Sequence, residues 1–210
     1  MGGNFLCVVV GSALQILSWR WIPESTSAAL GGLVVVWTVV LGGGGGTTTR
    51  RSLLGSLLVL CGGGIVVAAT PVLVPPASPP QNALYAGAIV LATAALLPQL
   101  PRAPCAGAVG GFTDTLAKAW TCGAGPEWGV AAVVFGAGQI GLLNAALVAT
   151  GGGELRTNAV YMPSLMISVI VVGAVTYAEL SSLDPSGVAV FAVGCAMSVA
   201  GAGAAAAATT

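Results

Sequence analysis

The chain has 210 residues, six basic and six acidic, with a formal net charge of zero and no histidine. A soluble domain carries about a quarter charged residues, so the 6 % found here argues against a water-soluble fold and leaves no basic surface for nucleic acid. The missing histidines also remove the usual general base and the commonest metal ligand. A helix needs about 20 apolar residues to cross a bilayer core, and apolar runs recur along this sequence. The expectation is one all-α domain over 1–210, a polytopic transmembrane bundle of about eight helices with the lipid bilayer as its solvent.

The first two predicted spans are 4–19 and 26–41, joined by a polar turn with Arg20, Pro23 and Glu24. No positive charge precedes the first, so it lacks a secretory n-region and reads as an uncleaved insertion signal. Glycines at 42–46 and three threonines lead through Arg50 and Arg51 into the third span, 53–69. That glycine run has no following lysine and is not a phosphate loop. Prolines between 71 and 82 predict a stiff, extended loop. Spans 84–97 and 106–120 follow; the first is short and the second contains Asp114 and Lys118. Span 128–150 is separated from span 159–180 by a glycine link at 151–153 with Glu154 and Arg156. A loop at 181–186, containing Asp184 and Pro185, precedes the last span, 187–208.

With eight spans, Arg50, Arg51, Arg102 and Arg156 fall on the side of both termini, while Arg20 and Asp184 fall on the other. Because positive residues stay preferentially in the cytoplasm, both termini are expected there in a multi-pass integral membrane protein. Along the sequence no basic cluster is dense enough to hold anionic lipid.

The 32 glycines suit helices packed in lipid, where close approach through small residues replaces hydrophobic association. Gly107, Gly111 and Ala117 predict one such face; Gly187, Gly194 and Gly201, at seven-residue spacing, predict another. Gly55 and Gly62 share the offset of Gly187 and Gly194, and Gln15 and Gln139 lie at similar depths two spans upstream. This is a weak internal repeat, and transporter sites often lie between repeats. Cys7, Cys61, Cys105, Cys122 and Cys195 lack C-x-x-C spacing and read as packing thiols; Cys105 and Cys122 flank one predicted helix.

Several stretches carry a family resemblance. Gly3-Asn4-Phe5, followed by a span and Pro23, looks like a G-x-x-x-N-F helix with its A-P turn. Ala29-Leu30-Gly31-Gly32-Leu33 resembles a P-L-G-A-L helix, and Arg51 to Pro71 looks like a G-x-x-L-x-x-x-G helix that ends in A-P. Gln139 to Leu147 matches Q-x-x-x-L-N-x-A-L with the same step from Gln139 to Asn144, and Lys118 falls on the lysine of an A-K segment. On these motifs the chain resembles the NIPA-type magnesium transporter family of the drug/metabolite transporter superfamily. The resemblance implies an EamA-like fold with a partial first repeat at 1–70 and a second at 84–208. It further implies alternating access, magnesium or another divalent cation as cargo with no bound cofactor, and residence in the plasma or an endosomal membrane. Two departures stand out. Family members carry further helices ahead of the N-F span, and glycine and threonine at 42–49 replace a G-E turn.

An intramembrane charge is a functional hypothesis by default. Asp114 and Lys118, four residues apart on one helical face, are expected to neutralise each other, either as a structural ion pair or as a substrate-binding pair. Magnesium is usually held by one or two carboxylates and retained waters, which makes Asp114 and Glu179 the candidate metal ligands; Glu179 would sit at a mouth, its plainer role being a solvated loop acid. Gln15, Gln139 and Asn144 can supply carbonyl oxygens or interhelical hydrogen bonds. Pro163 either frees carbonyls towards a cavity or occupies a first turn. No nucleophile–base constellation or pair of intramembrane aspartates is present, so an enzyme is not expected. The predicted function is transport of a small inorganic cation. The alternatives are an organic-solute carrier, with Lys118 binding an anionic group, or a non-transporting partner subunit in a homo- or hetero-oligomer.

Overall fold

A computed structural model of the chain describes residues 50–70, 102–149 and 154–207, with isolated positions at 18, 22, 26, 27, 33 and 36. Apart from those isolated positions, the predicted spans 4–19, 26–41 and 84–97, together with Gln15, Cys7, the glycine run at 42–46 and the proline-rich loop, lie outside the described residues. Of the twelve charged residues, Arg20 and Glu24 fall there too.

The described residues are all-helical, with five α-helices and no strand: α1 (Arg50–Ala69), α2 (Arg102–Thr121), α3 (Pro126–Ala149), α4 (Glu154–Thr176) and α5 (Pro185–Ala207), with a 3-10 turn at Glu179–Ser182. Each corresponds to a predicted span, extended at its N-terminus by polar residues that hydropathy alone leaves out. The helices contact one another chiefly in the order α3, α2, α4, α5, α1. Two of them, α3 and the Pro185–Ala205 portion of α5, are long and apolar enough to cross a membrane.

Local chemistry sets the boundaries. At the end of α2, Gly123 at φ 86° closes a Schellman motif: its N–H donates to the Trp120 carbonyl at 3.0 Å, and that of Ala124 to the Ala119 carbonyl at 3.0 Å. Pro126 then opens α3, where its missing N–H has no helical partner to lose, and Glu127 places a negative charge at the positive end of the helix dipole. The predicted span 159–180 stops earlier than expected, at Thr176, because Ala178 adopts the left-handed region (φ 51°, ψ 35°). For a residue with a Cβ this costs on the order of 1–3 kcal/mol, and it redirects the chain into the 3-10 turn. The same helix starts at Glu154, so Pro163 lies in its interior rather than in a first turn. The carbonyl four residues before Pro163 therefore lacks its helical donor.

Asp184 caps α5. Its Oδ1 accepts from the Gly187 N–H at 2.8 Å and its Oδ2 from the Ser186 hydroxyl at 2.6 Å, with Pro185 at the first helical position. These donors, the Ser186 hydroxyl first, hold the Asp184 carboxyl below the usual carboxylate range. A depressed folded-state pKa means the cap is at full strength above the unfolded value of about 3.9 and is lost as pH falls through the lower folded value. Protection of the Gly187 amide, taken relative to its intrinsic exchange rate at each pH, should therefore fall on acidification below that range, and Asp184→Ala should remove it at every pH.

Glycines decide how closely the helices approach. A Cβ on Gly62 would stand 2.5 Å from the Gly194 carbonyl oxygen, and one on Gly201 2.6 Å from the Gly55 carbonyl oxygen. Backbone thus meets backbone along an antiparallel α1–α5 pair. The seven-residue spacing shared by Gly55 and Gly62 with Gly194 and Gly201 is used as two matching halves of one interface. Gly187, expected on that face, instead lies in the first turn of α5 against Asp184. The face predicted from Gly107, Gly111 and Ala117 divides in two. Gly107 and Gly111 abut Ser164 and Ser168 of α4, while Ala117 packs on Ala132 of α3. Val66 of α1, Val169 and Ile170 of α4 and Phe191 of α5 form the main apolar core.

Candidate functional site

The least apolar helix is the most enclosed. In α2, which carries Asp114 and Lys118, eleven of twenty residues are buried between α3 and α4. Its glycines make this fit: a Cβ at Gly110 would collide with the Gln139 amide and Leu165, and one at Gly111 with Ser168. Ser168 donates its hydroxyl to the Ala108 carbonyl at 2.9 Å. Such interhelical hydrogen bonds in membranes average about 0.6 kcal/mol, so they fix register more than they stabilise.

Two polar groupings lie along α2, one turn apart. At the first, the Gln139 side-chain N–H donates to the Tyr161 hydroxyl oxygen at 2.6 Å. Asp114 is partly buried and lies one helical turn beyond Gly110, the residue whose Cβ position abuts the Gln139 amide. Three helices therefore contribute here: α2 a carboxylate, α3 an amide and α4 a phenol.

At the second, Lys118 Nζ lies 2.9 Å from Glu179 Oε1, with side chains only 5 % and 1 % exposed. The ammonium also sits 4.4 Å from the Tyr177 ring centroid, where the ring quadrupole attracts it. Tyr177 in turn donates its hydroxyl to the Thr115 carbonyl at 2.7 Å. The turn at Ala178 folds Glu179 back over the end of α2, so this pair joins α2 to the segment after α4.

The expected neutralisation of Lys118 by Asp114 is replaced by the Lys118–Glu179 pair. Two carboxylates are in sequence or spatial reach of one ammonium, and the turn at Ala178 brings the buried Glu179 to within 2.9 Å of it. Glu179 is correspondingly buried, neither a solvated loop acid nor open at a mouth. Among the described residues no three of His, Cys, Asp and Glu come together as a metal-ligand group. Asn144 lies on an exposed face of α3. Five residues advance a helix by about 140°, so it cannot share the inward face of Gln139. Cys105 and Cys122, at opposite ends of α2, are free thiols, as are Cys61 and Cys195.

Tyr161 and Tyr177 are the participants that residue-by-residue reading passed over. The available signal was their phenol hydroxyls, which require partners when placed within an apolar span. No family model, no curated protein and no solved structure matches the chain.

Proposed function

We propose that this chain is a multi-pass membrane transporter of a small cation, magnesium or another divalent ion, working by alternating access. The observation that carries the reading is Asp114: a carboxylate in the most enclosed helix, one turn beyond the Gly110 that abuts Gln139, with its neighbouring lysine already neutralised by Glu179. That pairing removes the repulsion a free Lys118 would exert on a divalent cation. It also weighs against an organic-anion carrier, which would need Lys118 unpaired.

The inverted burial pattern supports the membrane setting. Helix α3 has only Ala132 and Ala146 buried, and it leaves Val133 73 % and Val148 81 % exposed, while the charged helix lies inside. In water the exposed apolar area would be unfavourable at about 25 cal/mol per Å²; against lipid it is not. In this reading Asp114 receives the ion, and Gln139 and Tyr161 offer oxygens to it or to its waters, as magnesium requires. The arginine-bearing end faces the cytoplasm with both termini.

The test is magnesium uptake into proteoliposomes containing only this chain. Uptake is expected for the unaltered protein and should fall to the level of empty vesicles for Asp114→Asn, with helicity retained. Equal uptake by the variant would remove Asp114 from the path, and absence of uptake by the folded unaltered chain would end the transport reading.

A further inference from the structure

Arginines from widely separated positions, Arg50 to Arg156, converge on one end of the bundle. Helix α1 runs antiparallel to α5 through the Gly55–Gly201 and Gly62–Gly194 approaches. Helix α5 runs antiparallel to α4, with Phe191 against Val169 and Ile170. The contacts of α4 with α2 advance together, from Ser168 on Ala108 to Tyr177 on Thr115, so those two are parallel. The N-termini of α1, α2 and α4 therefore share one end. Among the described residues, that end holds Arg50, Arg51, Arg102 and Arg156 against one acid, Glu154, whereas the opposite end holds Lys118 with Glu127, Glu179 and Asp184.

Arg50, Arg51 and Arg102 are exposed. Arg102 donates to the Ala145 carbonyl at 3.4 Å, which neutralises part of the negative C-terminal end of α3 and holds the guanidinium at the rim. Beside the negative C-terminal ends of α3 and α5, this face carries the positive N-terminal ends of α1, α2 and α4. No first-turn acid offsets them in α1 or α2.

We infer that this end is a docking surface for the headgroups of anionic phospholipids, with guanidinium groups at the rim pairing with phosphates of the adjoining leaflet. The inference rests on the membrane reading above but not on transport. Lipid, not a soluble anion, is the committed occupant because the same rim continues into the apolar outer faces of α1 and α3, where Leu53, Leu54 and Val148 are exposed. A phospholipid supplies both the anionic head and the chains to cover them.

The experiment reconstitutes the full chain in vesicles of equimolar phosphatidylglycerol and phosphatidylcholine, extracts it gently and weighs the retained lipids by native mass spectrometry. Phosphatidylglycerol should be enriched over the bulk ratio. Arg50→Gln/Arg51→Gln, both exposed and so not needed for folding, should reduce that enrichment, by roughly 5-fold per arginine removed. Retention at the bulk ratio, enrichment unchanged in the double variant, or enrichment abolished by millimolar inorganic phosphate at constant ionic strength would each overturn the proposal. Failure of the chain to enter vesicles of either lipid would instead overturn the membrane reading on which it rests.

Discussion

Replacing Lys118 by Met, or Glu179 by Leu, should destabilise the fold by roughly 3–5 kcal/mol, while the two changes together should recover most of that loss. The reason is the burial of the pair, with side chains 5 % and 1 % exposed at 2.9 Å separation. Removing one partner strands an uncompensated charge; removing both leaves apolar groups of similar volume where the charges were. Double replacement can be neutral or even stabilising, because the attraction between the two charges largely repays their desolvation and little more. The contact with the Tyr177 ring adds about 0.5–2 kcal/mol to the cost of losing the ammonium alone, so Lys118→Met should be the worse single change. Unfolding midpoints of all four proteins in one lipid mixture measure the coupling. Single variants as stable as the unaltered chain would mean that the pair is open to water. On the transport reading proposed above, uptake of magnesium by the double variant separates roles further, since a pair that only braces α2 would leave it intact when both members are replaced.

The second large effect is expected at the α1–α5 interface. Gly62→Ala and Gly201→Ala should each destabilise the protein by roughly 1–3 kcal/mol, the usual range for overpacking a tight contact. The opposing influence is helix propensity, which favours alanine over glycine by about 1 kcal/mol. Sterics win at these positions because the new Cβ would meet backbone. At Gly62 it would stand 2.5 Å from the Gly194 carbonyl oxygen and 2.6 Å from the Ser198 nitrogen; at Gly201 it would stand 2.7 Å from the Val59 nitrogen. Backbone cannot rotate away as a side chain can, so the helices must separate. Gly64 and Gly203 supply the contrast within the same two helices, since a Cβ at either meets nothing within 4 Å. Their alanine variants should keep only the propensity term and be neutral or slightly stabilised. Helical circular dichroism followed through a denaturing-detergent titration distinguishes the two classes. If all four variants behaved alike, the close approach of α1 and α5 would not be a determinant of stability.

Apolar length and punctuation are local properties, and much of this protein was legible from them. The five helices that the structure describes fall on predicted spans because each span is a continuous apolar run bounded by Gly, Pro or charge. Both Gly123 after α2 and Asp184-Pro185 before α5 end or begin helices through bonds within a few residues. The placement of Arg50, Arg51, Arg102 and Arg156 at one end also followed from counting spans, since successive helices alternate in direction. Partner choice was not legible. Asp114, four residues from Lys118, was the obvious counter-ion, yet the ammonium bonds Glu179, 61 positions away. That outcome depends on the left-handed turn at Ala178 and on the parallel placement of α2 and α4, neither of which leaves a mark in hydropathy. The glycine spacings were visible, but which glycine faces which required the antiparallel order of α1 and α5. Likewise the step from Gln139 to Asn144 looked like a paired motif, and only the helix rotation separates an inward amide bonded to Tyr161 from an exposed one. The sequence by itself determined which segments are helical and how the charges sort between the two ends, because both depend on short runs of residues. The tertiary structure alone decided which charges and glycines meet, because that depends on helix order and rotation across the whole bundle.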